Sequence, residues 1–145
     1  MNVFHVACLT KLVGDDFYYV EFPEFPHLNG GKRPKTITEA AFLVQDLLGG
    51  HFESMGTLPE PTTTWEKEAH KMEHDFKERR LLVEQFDDVL FLDVKCHGYG
   101  MGIACVVPKD RHGTGDPMVA GTPISIYNQR CAREQRRGTG AVIRA

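Results

Sequence analysis

The sequence has no apolar run approaching the roughly 18 residues that a membrane span requires, which excludes an apolar transmembrane helix. Its start lacks a basic stretch followed by an apolar one, so no signal peptide is expected. Cysteine is sparse: Cys8, Cys96, Cys105 and Cys131 are far apart and form no CxxC pair. That spacing argues against a zinc finger or a disulfide framework and suggests free thiols in a reducing cytoplasm. Tryptophan occurs once, and at 145 residues the chain is long enough for one domain, or for one small domain with an appendage.

The charge present is unevenly placed. Residues 1–108 carry ten Lys/Arg against seventeen Asp/Glu, whereas residues 109–145 carry seven against three. An acidic body suits a basic protein partner, and a basic tail suits nucleic acid or is simply a solvated end.

Two strand-like runs open the chain. "VFHVACLTKLV" (3–13) is followed by the turn Gly14-Asp15-Asp16 and then by "FYYVEF", the pattern of a hairpin. The second run breaks at Pro23 and Pro26, which cannot donate to a ladder and which bracket Glu24 and Phe25. "KTIT" (35–38) is a short β-prone piece. Thr38 then fits a helix cap, and Ala40, Leu43, Val44, Leu47, Leu48, Phe52 and Met55 form an apolar stripe of helical period that should pack on a sheet. "LPEPTTT" reads as a linker, and a second helix is expected over 64–86 with Thr64 as its cap. "VLFLDVKC" (89–96) reads as a strand with Leu90, Leu92, Val94 and Cys96 on one face. After Cys96 the pattern dissolves into a Gly/Pro-rich, basic tail (97–145), so residues 1–96 are expected to fold by themselves.

The order of these pieces carries a motif. Tyr18, Val20, Phe22, Pro23, Glu24, Phe25 and Pro26 come first, then a Gly turn. Thr36, Thr38, Glu39 and Ala40 follow, then an amphipathic helix and Pro59, Glu60, Pro61 and Thr62. This arrangement resembles the HicB antitoxin family over about residues 1–62, with 89–94 as the family's last core strand. The resemblance implies an α+β fold: a β-β-β-α-β truncated ribonuclease H-like core, here with an extra helix and an irregular tail. It implies a protein without catalysis or cofactor that binds and silences a HicA-like toxin, a small basic mRNA-cleaving protein. It further implies a homo-oligomer and operator DNA as a partner through a C-terminal module, with operon autoregulation.

The sequence departs from the family at His27-Leu28, in an apparent insertion over Gly30–Pro34, and in a long segment before the last strand. No ribbon-helix-helix pattern is legible after residue 96. The tail reads as a remnant of, or a replacement for, the family's DNA-binding module. Degenerate codons for Lys109–Thr114, read one nucleotide later, permit Lys-Thr-Val-Thr-Val-Pro, which resembles the start of that module.

The partner-binding residues expected on this reading are Glu21, Phe22, Glu24, Phe25 and Pro26. The prolines stiffen the loop and limit the entropy lost on binding. Phe22 reads as its core anchor, and Phe25 reads either as core or as a presented aromatic. Glu21 and Glu24, with Asp15 and Asp16, read as surface charge that attracts a basic partner rather than as a nuclease centre, which needs carboxylates gathered around metal ions.

Other chemistry is weaker. His70, Glu73 and His74 match H-x-x-E-H, and a zinc hydrolase is the alternative they raise. The surrounding Lys67, Glu68, Lys71 and Asp75 mark an ordinary solvated face. Cys96-His97, Cys105 and His112 fit no standard metal spacing, and "GYGMG" and "GTGDP" lack the lysine of a phosphate loop. A stand-alone binding or sensor domain without a toxin is the remaining alternative.

Overall fold

The computed structural model describes residues 2–28, 31–100, 102–110, 115–126, 128, 129 and 132. Its class is α+β. Strands β1 (Asn2–Leu12), β2 (Tyr19–Glu21), β3 (Phe86–Tyr99) and β4 (Gly102–Val106) form one sheet in the order β2-β1-β3-β4, and every neighbouring pair is antiparallel. Helices α1 (Ile37–Met55) and α2 (Trp65–Lys77) lie between β2 and β3 in the chain.

β1 is central and buried on both sides, and its alternation assigns the two faces. Val3, His5, Ala7 and Leu9 join Leu90, Leu92, Val94 and Cys96 on the face that α1 covers with Ala40, Ala41, Val44, Leu48 and Phe52. Val6 and Cys8 join Val89 and Phe91 on the opposite face, where Ala69 and Phe76 of α2 and Ile126 close a second, smaller core. The expected face of β3 is thus the one under α1.

The short piece at 35–38 is not a strand. Thr36, not Thr38, caps α1: its Oγ1 accepts the Glu39 N–H at 3.0 Å, and the Glu39 carboxylate accepts the Lys35 N–H at 2.8 Å. The reason is spacing, since Thr36 has a glutamate three residues on, the arrangement of a capping box, and Thr38 has Ala41 there. Gly56 ends the helix at φ 73°, a left-handed conformation that glycine adopts without a Cβ penalty. Gly49 and Gly50 do not interrupt it.

α2 starts at the expected cap, with Thr64 Oγ1 accepting the Lys67 N–H at 3.3 Å, but it stops at Lys77 rather than near 86. Arg79 turns left-handed at φ 57°, and the N–H groups of Arg80 and Leu81 return to the Asp75 carbonyl. A 3₁₀ turn, Val83–Gln85, then leads into β3.

The sheet also continues beyond Cys96. β3 runs to Tyr99 and turns into β4, so "GIACV" is a strand despite its Gly-rich surroundings. As an edge strand, β4 directs backbone groups away from β3, and α1 meets two of them. The Ile103 N–H donates to Glu53 Oε1 at 3.5 Å, and the Val107 N–H donates to Gln45 Oε1 at 2.9 Å. Such covering blunts an edge that would otherwise template another strand. Val107 is buried in the α1-side core. Further on, Gly121 pairs antiparallel with Phe91 of β3 through backbone hydrogen bonds, and a Cβ at Gly121 would run into the Trp65 ring of α2. The observed order is therefore β-β-α-α-β-β. Most of the stretch expected as a module remnant (Arg111–Thr114), with His112 and Cys131, lies outside the described residues.

Candidate functional site

Pro23 changes what the chain after β2 faces. Glu21 pairs with Cys8 of β1 and belongs to the α2 face of the sheet. Phe22 is 1% exposed and anchors the loop in the α1-side core. The backbone then turns twice, with the Phe25 N–H donating to the Phe22 carbonyl and the Leu28 N–H donating to the Phe25 carbonyl.

Glu24 is not the surface charge expected from the sequence. Its side chain is 4% exposed and that of His5 1% exposed, and the two meet at 2.7 Å between Nδ1 and Oε2. His5 Nε2 lies 3.0 Å from the Pro59 carbonyl. A carbonyl oxygen only accepts, so Nε2 is the donor to Pro59, and Nδ1 faces the Glu24 carboxyl. The other carboxyl oxygen of Glu24 accepts from the Thr62 N–H at 2.6 Å and from Thr62 Oγ1 at 3.1 Å. Both ends of both side chains are therefore engaged, as buried polar groups require. This clamp joins Pro59–Thr62 to Phe22–Pro26, two proline-bearing segments that lie far apart in the chain.

Phe25 is half-buried beside the clamp. Its ring centroid lies 5.1 Å from His51, 5.6 Å from Phe52 and 5.8 Å from His5, in tilted or edge-on arrangements. It is a packing residue more than a presented one, whereas Pro26 is exposed.

On the α2 face the same segments wall a cavity of about 400 Å³. Cys8, Met72 and Phe91 of the α2-side core line it; Val20 and Phe22, whose side chains belong to the α1-side core, border it with Pro23, Pro26 and Leu28; Glu21 and Glu68 add carboxylates. Glu21 is exposed and Glu68 half-buried, the latter accepting the Thr63 hydroxyl at 2.8 Å. Both carboxylates act on the Cys8 thiol. Burial first, and then these two charges, push its pKa far above the usual thiol value, so it stays protonated and behaves as a small apolar group. A hollow of mixed polarity with two carboxylates beside Met72 and Phe91 suits the alkyl stem and cationic head of a lysine or arginine side chain.

The remaining expected carboxylates do not converge with these. Asp15 accepts from the Tyr19 hydroxyl at 3.5 Å, and Asp16 lies 3.7 Å from Lys35 Nζ, both around the β1–β2 turn. His70 and His74 are exposed on α2, and Glu73 between them accepts the Ile124 N–H at 2.7 Å. Its carboxylate thus caps a following backbone segment. Among the described residues no three His, Cys, Asp or Glu side chains gather as a metal-binding group. Among the same residues no helix is long and apolar enough to cross a membrane.

Sequence reasoning missed His5 and Glu68. A signal for His5 was present, because it stands alone inside an apolar strand run, and a buried imidazole there needs partners. Glu68 gave none, since its position depends on how α2 lies across β1 and β2. No family model, curated protein or solved structure matches this chain.

Proposed function

We propose that the chain is a HicB-like antitoxin, a non-catalytic protein that holds and silences a small basic HicA-type mRNA-cleaving toxin. On this reading β1, β2, α1 and β3 correspond to the family's truncated ribonuclease H-like core, and α2 and β4 are additions to it. The observation that carries the proposal is the cavity beside the proline loop, where Met72, Phe91 and the Glu21 and Glu68 carboxylates suit a basic side chain. The acidic bias of residues 1–108 supports it, because a negative body steers a basic partner into encounter. Glu21, Pro26 and Glu68 would then touch the toxin, while Phe22, Glu24 and Phe25 hold the loop that presents the contact. Any operator binding and self-assembly would fall to the basic residues 109–145.

The test is calorimetric titration of the chain with the HicA-like protein encoded by an adjacent reading frame, with an RNA-cleavage assay in parallel. Saturable binding that blocks cleavage is expected. It should weaken at least severalfold between about 50 mM and about 300 mM salt, as exposed charges become screened. Absence of binding at the lower salt, or cleavage unaffected by excess chain, would reject the antitoxin reading and leave a stand-alone binding domain.

A further inference from the structure

Two of the cysteines that are far apart in sequence face each other across the last hairpin. Cys96 of β3 and Cys105 of β4 are direct partners in the antiparallel register. The kind of pairing follows from the neighbours. Ile103 and Val107, two residues to either side of Cys105, send their N–H groups away from β3 to side chains of α1. Cys105 is in phase with them, so Cys96 and Cys105 form a non-hydrogen-bonded pair. In such pairs the Cα atoms lie about 4.5 Å apart and the side chains are at their closest. That separation falls at the short end of the roughly 4.4–6.8 Å range that disulfides span.

The surroundings divide the labour between the two thiols. Cys96 is fully buried and Cys105 half-buried, and both are free thiols in this structure. The neighbouring Cys96 holds the Cys105 pKa below the usual thiol value against the opposing effect of burial, while the Cys96 Sγ lies 3.7 Å from the Val94 carbonyl that it donates to. Cys96 is held well above that value by Cys105 and by burial. One thiol is thus reachable and activated, and the other is protected and adjacent. Cys8, on the opposite face of the sheet, has neither property.

We propose that Cys96 and Cys105 form an oxidation site that closes to a cross-strand disulfide on reaction with a small-molecule disulfide. The Cys105 thiolate attacks one sulfur of the oxidant, forms a mixed disulfide and releases the first thiolate. Cys96 then gives up its proton and attacks Cys105 Sγ, expelling the second. One oxidant disulfide is reduced to two thiols while two cysteine thiols become one disulfide, so electrons and protons balance. The bond would tie edge strand β4 covalently to β3.

The experiment treats the full chain with oxidised glutathione, blocks remaining thiols under denaturing conditions, and measures intact mass and linked peptides. The expected product carries two blocking groups where the reduced chain carries four, yields a peptide pair joined through Cys96 and Cys105, and reverts with dithiothreitol. Cys105→Ser should abolish the intrachain bond, and Cys96→Ser should instead accumulate the glutathione adduct at Cys105. Cys105 stopping at a glutathione adduct in the unsubstituted chain would overturn the proposal. So would both thiols remaining free after prolonged oxidation.

Discussion

Glu21 ends β2 and Glu24 stands three residues on in the loop that follows, and the sheet separates their surroundings. Glu24 faces the α1 side, where its carboxyl is sealed against His5 and Thr62. Glu21 faces the α2 side, exposed at a cavity it shares with Glu68. The same residue type thus holds the fold on one side and offers charge to solvent on the other. The α1-side core is the larger of the two, with Leu9, Val44, Leu48, Phe52 and Leu92 fully buried. The α2-side core is thinner and closes only with Trp65, Ile126 and the segment around Gly121.

The largest test of this contrast is removal of residues 97–145. Truncation takes away β4, the buried Val107 on one face and the buried Ile126 on the other. Each such side chain contributes roughly 1.5–3 kcal/mol, and the lost strand exposes the β3 edge as well. The total approaches the roughly 5–15 kcal/mol stability of a typical domain, so the truncated chain should show no cooperative thermal transition. A sharp melt near that of the full chain would mean that residues 1–96 fold alone.

Glu24→Ala comes next. It strips His5 of its carboxylate inside the core and frees Thr62, which should cost about 3–5 kcal/mol in urea denaturation. The loss should be shared with His5→Ala, so the double variant falls well short of the sum of the two single losses. Simple additivity would show that the clamp does not act as one unit.

A smaller effect is expected at Asp93 on the α2 face, opposite Val6. Burial, and then the charge of Glu66, raise its pKa above the usual carboxylate value. An acid whose folded-state pKa is raised binds its proton more tightly when folded. Its penalty is therefore absent below the unfolded value near 3.8, grows as pH rises towards the folded value, and is complete above it. Asp93→Asn should raise the melting temperature slightly at pH 7 and leave it unchanged at pH 3. A gain of equal size at both would assign the effect to something other than charge.

Much of the α1 side was legible in the sequence. Leu90, Leu92, Val94 and Cys96 alternate cleanly, and the stripe from Ala40 to Phe52 has the period of a helix. The cap of α1 was misassigned to Thr38, although Thr36 and Glu39 have the capping-box spacing that Thr38 lacks. The end of α2 was not legible, because neither Gly nor Pro marks Arg79. β4 was hidden by the glycines around it, and its place depends on pairing with β3 rather than on local pattern. The clamp was the least visible feature: it joins His5, Glu24, Pro59 and Thr62, whose partnership is set by tertiary structure alone.

The account stands most directly on one measurement, the binding of Glu21→Lys to the HicA-like partner, with its thermal melt recorded alongside. Glu21 is exposed and makes no clamp contact, so the melt should stay within about 0.5 kcal/mol of the parent chain, as for an ordinary surface substitution. The reversed charge at the cavity should weaken association about tenfold or more, mainly through a slower on-rate at low salt. Unchanged affinity and on-rate, with the same melt, would contradict the claim that the α2 side of the loop receives the partner.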